Sequence, residues 1–195
     1  MKLLLTGASG FLGKNFMELA PKDIEITGIY NSSTDIVNFV EEKKLTNVKL
    51  FKCDLTNKKE VEDLFEKIGK DFNYCLFLAA NVDIPLSFKN PELDFKITVT
   101  GLQNFLEKCS NIKRFIYMSS AAVYDGNSGS VSVDTKLNPK VPYCKSKLAA
   151  ELCVKSFSEL GKLKEFAILR FGGAFGLYSE KKFMSTLVKD ISLQN

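Results

Sequence analysis

The chain contains no histidine and no tryptophan. Without histidine there is no Ser-His-Asp triad, no Cys-His pair, and little of the usual metal chemistry, because imidazole is the commonest metal ligand and acid–base group near neutral pH. The five cysteines (Cys53, Cys75, Cys109, Cys144 and Cys153) are odd in number and form no CxxC pair. Reduced thiols in a cytoplasmic protein are expected, and a zinc site or other metal site is not. No apolar run approaches the roughly 20 residues of a membrane span. The N-terminus lacks the apolar stretch and cleavage site of a signal peptide. An excess of charge is also missing: 27 basic and 23 acidic residues are scattered along the chain and leave a net +4. Neither a nucleic-acid partner nor a membrane partner is therefore expected.

What remains is ordinary globular material, 195 residues with 45% hydrophobic and 26% charged. That suits one domain with a real core. Short apolar runs at Lys2–Thr6, Ile24–Tyr30, Val48–Lys52, Tyr74–Leu78, Arg114–Ser119 and Phe166–Arg170 predict strands. Helical patterns fall between them at about 11–20, 34–45, 58–68, 91–110 and 143–161, with a last one at 180–193. In "VEDLFEKI", Val61, Leu64, Phe65 and Ile68 recur on one helix face. Continuous apolar strands suggest burial on both faces, hence a parallel sheet covered by helices. Strict alternation predicts a doubly wound α/β Rossmann fold. The segment 125–142, rich in Gly, Ser, Asn and Pro, is the one long loop, and such loops often carry function.

The first strand runs into Gly7-Ala8-Ser9-Gly10-Phe11-Leu12-Gly13 and then a helix. This is the context of a dinucleotide cradle. Gly7 permits the turn, Gly10 lets backbone approach a pyrophosphate, and Gly13 lets the helix pack on the strand. The helix N-terminus offers N–H groups to the phosphates. A glycine-rich turn with no ligand is the plain alternative. Tyr143 and Lys147 stand four apart, on one face of a helix. An ammonium near a phenol favours the phenolate, and such a tyrosine can exchange a proton with a carbinol or carbonyl oxygen. Alone, the pair is also what a solvated helix start looks like. Upstream, "RFIYMSSAAVY" is a buried strand ending in Ser119 and Ser120, at the sheet edge where ligands bind.

The TGxxGxxG spacing, the strand ending Ser119-Ser120-Ala121-Ala122-Val123-Tyr124, and Tyr143-x-x-x-Lys147 together resemble the extended short-chain dehydrogenase/reductases. Within them, the NAD-dependent epimerase/dehydratase family and its nucleotide-sugar epimerase/reductase branch are most similar. The resemblance implies a catalytic set of Ser120, Tyr143 and Lys147. It implies cofactor contacts at Gly7, Ser9, Gly10, Phe11, Leu12 and Gly13, at Asp54 and Leu55 (the "DL" near adenine), at Leu78, Ala79 and Ala80, and at Tyr143 and Lys147. Asp54 could otherwise cap the following helix. Leu169-Arg170-Phe171 is similar to the strand before the nicotinamide end.

The departures are informative. Asn31, Ser32 and Ser33 stand where NAD-dependent members carry an acidic residue for the ribose 2′-OH. With no carboxylate to repel a 2′-phosphate, NADP is favoured over NAD, although no Arg supplies positive charge. Thr98 and Gly173 each replace an asparagine of the family pattern. Ala121-Ala122 occupies the Asp-Glu position of dehydratases, which argues against a 4,6-dehydratase. With Ala121 in place of a cysteine and no histidine, a Cys/His acid–base pair is also disfavoured. The expected division is a Rossmann domain at 1–176 and the start of a truncated substrate-binding region at 177–195. The expected function is an NAD(P)-dependent epimerase or reductase of a nucleotide-linked sugar, with a homodimer implied by the resemblance. The alternatives are an NADPH-dependent carbonyl reductase on a non-sugar substrate and a non-catalytic dinucleotide-binding protein.

Overall fold

A computed structural model describes residues 1–109, 112–174 and 176–179. Six parallel strands form one sheet in the order β3-β2-β1-β4-β5-β6. They are β1 (Lys2–Thr6), β2 (Glu25–Tyr30), β3 (Val48–Lys52), β4 (Tyr74–Phe77), β5 (Arg114–Ser120) and β6 (Phe166–Phe171). The order reverses between β1 and β4, so a crevice opens there beyond the carboxyl ends of the strands.

The apolar runs feed both faces, as a parallel sheet requires. Leu3 and Leu5 pack with Met17, Ile36 and Phe39 on one side, under α1 (Phe11–Leu19) and α2 (Asp35–Glu42). Leu4, between them in sequence, joins Phe65, Phe77, Phe105, Phe115 and Val154 on the other. That second side is covered by α3 (Lys58–Ile68) and by the helical segments Gly101–Lys108 and Pro142–Glu159. The face read in "VEDLFEKI" is the buried one, with Val61, Leu64 and Phe65 in the core and Ile68 against it. Asn57 caps α3 by accepting from the Lys59 and Glu60 N–H groups, while Glu60 accepts from the Asn57 amide. This is a variant of the reciprocal capping box.

The expected helix at 91–110 is three pieces: α5 (Pro91–Phe95), a π-helical turn at Lys96–Thr100, and α6 (Gly101–Lys108). The interruption falls on Ile97-Thr98-Val99-Thr100, a β-branched run that crowds an α-helical turn. Two elements were not foreseen. They are α4 (Ile84–Lys89), capped by the Asp83 carboxylate on Leu86 N–H with Pro85 in its first turn, and a 3₁₀ turn at Ala121–Tyr124. Helix α7 (Pro142–Glu159) follows the long loop. Leu177 and Tyr178 return to α1 and α2: Asn15 donates to Leu177 O at 2.8 Å, and Tyr178 stacks edge-on against Phe39. The helix expected at 180–193 lies outside the described residues.

Candidate active site at the carboxyl edge of the sheet

At the switch point, Thr6 is fully buried and its hydroxyl accepts from both Leu78 N–H and Ala79 N–H, each at 3.1 Å. This fixes the end of β1 against the segment leaving β4. Thr6 is the threonine of the TGxxGxxG pattern, which by itself assigns the hydroxyl no partner. Gly7 follows with φ +68°, and a Cβ there would stand 2.9 Å from Ala79 N. Gly13 is closed as firmly, since a Cβ would lie 2.4 Å from Gly7 O and 2.6 Å from Ala8 O. Gly10 differs. It is exposed, and a Cβ on it would meet only Gly7 O, at 3.2 Å. Helix α1 starts at this open glycine with no side-chain cap and no acidic residue in its first turn. An open glycine at the N-terminus of a helix fits the pyrophosphate of a dinucleotide.

The other expected contacts are dispersed around this turn. Ser9, Phe11 and Leu12 are half-buried at the start of α1. Leu78, Ala79 and Ala80 are half-buried beside Thr6 and Gly7. Asn31, Ser32 and Ser33 are exposed after β2. Asp54 does not cap α3, which is Asn57's role; its carboxylate instead accepts from Thr56 N–H at 2.9 Å. Leu55 is turned into the core, and its carbonyl accepts from Asn104 at 3.0 Å.

Strand β5 delivers Ser119 and Ser120 to opposite uses, as the pleat dictates. Ser119 is buried and donates to Glu151 of α7 at 2.6 Å. Ser120 is half-buried; its oxygen accepts from Ala122 N–H at 3.2 Å and hydrogen-bonds with the Tyr143 phenol. Tyr143 begins α7, and Lys147 lies one turn further on, 4% exposed. The Lys147 ammonium donates to Met118 O at 3.2 Å and sits 6.0 Å from the Tyr143 ring centroid and 5.5 Å from that of Tyr117. The chain thus brings Ser120, Tyr143 and Lys147 together from β5 and α7.

The electrostatics correct one expectation. Burial pushes the Tyr143 phenol up from its usual value, and only the Ser120 hydrogen bond opposes this among the leading influences. Lys147 is not among those leading influences; its ammonium donates to a β5 carbonyl. Burial holds Lys147 itself down at about 8, against the pull of Asp94 and Glu151.

A second layer fixes these groups. Arg170 of β6 grips Glu151 through Nε and Nη2, at 2.8 Å for the latter. Arg170 also donates to Tyr124 Oη and to Val133 O, tying down the long loop. Asn81 donates to Asp94 at 2.6 Å and Ser146 donates to its other oxygen at 2.5 Å. Thr98, the family asparagine's replacement, is buried and accepts from Asn81 N–H at 3.3 Å. Asn81, Asp94 and Ser146 were not singled out from the sequence.

A doubly wound parallel sheet, a glycine turn at its switch point and a Ser-Tyr-Lys cluster on the same edge define a dinucleotide-dependent short-chain dehydrogenase/reductase scaffold. More narrowly, residues 3–194 match the NAD dependent epimerase/dehydratase family, and the chain belongs to it. A putative UDP-glucose 4-epimerase of Methanocaldococcus jannaschii is 29% identical over 186 residues, covering 92% of this chain and 58% of that protein. A UDP-N-acetylglucosamine 4-epimerase of Methanobrevibacter ruminantium, solved with UDP-N-acetylmuramic acid, superposes with a TM-score of 0.87 at 26% identity. It is matched over 63% of its length by the whole of this chain. The fold is shared with a Bacillus cereus UDP-glucuronic acid 4-epimerase solved with UDP-glucuronic acid and NAD, at TM-score 0.83, 24% identity, and 100% and 64% coverage. The chain therefore spans less than two thirds of the length of these relatives. The family so matched is described as NAD dependent, so the expected preference for NADP finds no support there.

Among the described residues no helix is long and apolar enough to cross a membrane. All five cysteines are free thiols, four of them buried.

Proposed function

We propose that this chain forms the cofactor-binding and proton-transfer part of an NAD-dependent epimerase or reductase acting on a nucleotide-linked sugar. One observation carries the reading: the Ser120 and Tyr143 hydroxyls meet at the carboxyl edge of the sheet with Lys147 one helical turn behind. Gly10 and the first turn of α1 would hold the pyrophosphate of a bound dinucleotide, and Leu78, Ala79, Ala80 and Asp54 would serve its ribose and adenine. Bound dinucleotide supplies the hydride acceptor and donor. Tyr143 takes the proton of the reacting sugar hydroxyl or returns it to the carbonyl oxygen, and Ser120 orients that oxygen. Lys147 lends positive charge beneath the phenol and donates to the neighbouring ribose. Ala121 and Ala122 leave the 3₁₀ turn without an acid for dehydration.

NAD is the proposed form. Lys14 is the only basic side chain on α1, and its charge is committed to Asp35 at 2.6 Å. Asn31, Ser32 and Ser33 bring no charge for a 2′-phosphate. The division at about residue 176 and a homodimer remain part of the same proposal. Exposed Leu93, Phe95 and Leu152 on α5 and α7 support the latter.

The test combines thermal-shift titration of the purified protein with NAD and NADP and incubation with UDP-hexoses. Stabilisation by NAD, with interconversion of 4-epimers or net NADH consumption, supports the reading. Absence of stabilisation by either dinucleotide overturns it.

A further inference from the structure

The Lys147 ammonium is buried, and among the described residues it donates to Met118 O. Two carboxylates bear on it, Asp94, which is bonded by the adjacent Ser146, and Glu151, one turn further along α7, and they are not equivalent. Glu151 is neutralised by Arg170 in a buried ion pair. Asp94 is also fully buried, yet its two oxygens accept from neutral donors, the Asn81 amide and the Ser146 hydroxyl. Thr98, buried in the π turn, accepts from Asn81 N–H, and the Asn81 amide in turn clamps the carboxylate. Irregular turns of this kind gather at functional sites.

The remaining charged groups on the elements around α7 are occupied or outward. On α6, Glu107 and Lys108 pair with Lys58 and Glu62 of α3. Lys89 of α4 and Lys96 of the π turn are exposed. Tyr124, in the 3₁₀ turn, receives Arg170. On β5, Tyr117 presents its ring to Lys147, and its hydroxyl is buried without a hydrogen-bond partner. Tyr143 stands on the same helix as Lys147.

We infer that Asp94 is a positioning residue of the proposed site: its carboxylate, clamped by Asn81 and Ser146, is the unneutralised negative charge that keeps buried Lys147 an ammonium. This rests on the functional reading above for its purpose, since a cationic Lys147 is what a proton-transferring Tyr143 needs. An apolar residue at 94 would leave the lysine to shed its proton, as buried lysines do.

The experiment reads Lys147 directly. Lysine-selective carbon-13 NMR follows its Cε shift with pH in the ligand-free protein, assigned with Lys147→Arg. The wild-type midpoint is expected near 8. Asp94→Asn keeps the shape but removes the charge, its oxygen accepting from the Asn81 amide and its NH2 donating to the Ser146 hydroxyl, and lowers the midpoint by about one pH unit or more. Ser146→Ala keeps the charge and leaves the midpoint near wild type. An unmoved midpoint in Asp94→Asn overturns the inference, as does a shift in Ser146→Ala as large as that in Asp94→Asn. Should Asp94→Asn not fold, Asp94→Ser carries the same expectation. The titration uses neither cofactor nor sugar, so failure of the enzymatic reading would appear as missing NAD stabilisation with the Lys147 shift intact.

Discussion

Glu151 of α7 and Arg170 of β6 form an ion pair whose acid is fully buried, at 2.8 Å between Oε2 and Nη2. Through Ser119 on Glu151 and Tyr124 on Arg170, the pair joins the helix that carries Tyr143 and Lys147 to the strand that carries Ser120. The guanidinium is held more firmly protonated than usual, chiefly by the hydrogen bonds it donates to Glu151.

Removing one partner leaves a buried charge alone, which costs far more than removing both. Arg170→Met is expected to lose about 3 kcal/mol or more in urea denaturation. The double variant Glu151→Leu/Arg170→Met should lose less than the single one, because no stranded carboxylate remains. A double variant no better than Arg170→Met would show that packing, and not charge, holds α7 to β6.

The three glycines of the opening turn should separate in their effects. Gly7→Ala forces a side chain onto φ +68° and against Ala79 N at 2.9 Å; a loss above about 1 kcal/mol is expected. Gly13→Ala meets backbone oxygen at 2.4 Å and should be worse. Gly10→Ala meets only Gly7 O, at 3.2 Å, and should stay within about 1 kcal/mol of wild type. It should nevertheless lose most of its thermal stabilisation by NAD, since the methyl group occupies the path of the pyrophosphate. Unimpaired NAD stabilisation in Gly10→Ala would remove the cradle from the proposal.

Much of this arrangement could be read in advance because it is carried by local pattern. Leu3, Leu4 and Leu5 announce a strand buried on two faces, and Val61, Leu64 and Phe65 announce a helix face. The glycine spacing and Tyr143-x-x-x-Lys147 mark the two ends of the site. What escaped reading depends on partners distant in sequence. Asp94 is indistinguishable from a surface acid until the fold brings Ser146, 52 positions away, to its second oxygen. Thr6 is an ordinary strand residue until Leu78 and Ala79 arrive. The π turn hides inside a helical period, and α4 is only six residues long. The direction of the Tyr143 shift was missed because spacing fixes which face a lysine shares, but not where its ammonium points.

Stability should record the burial of Lys147. Its value falls from 10.5 to about 8 on folding. Between those limits the unfolded chain holds a proton that the folded chain has shed, so this lysine's contribution to stability rises with pH. Below 8 the folded protein bears the full penalty, about 3 kcal/mol. Cys53, Cys144 and Tyr143, pushed up by burial, act in the opposite sense above neutral pH. A comparison with Lys147→Met cancels them. Wild type should gain on this variant by up to about 3 kcal/mol as pH rises from 8 to 10.5 in denaturant titrations. A difference flat with pH would mean that Lys147 is solvated.

Tyr143→Phe isolates the proton-transfer role from the fold. The phenol is half-buried and pushed up by its surroundings, so its loss removes a polar group without leaving a charge behind. Ser120 keeps its hydrogen bond from Ala122 N–H, and the aromatic ring stays in place beside Lys147. Stability and NAD binding should therefore remain close to wild type, with the NAD-induced thermal shift within a few degrees. Turnover of the nucleotide sugar should fall by roughly 10²–10⁴-fold, the range for loss of a positioned acid–base group. Such a fall appearing in kcat with KM little changed places the phenol at the reacting oxygen. A loss confined to KM would reduce Tyr143 to a substrate contact and move the acid–base role to another group at the β5 edge.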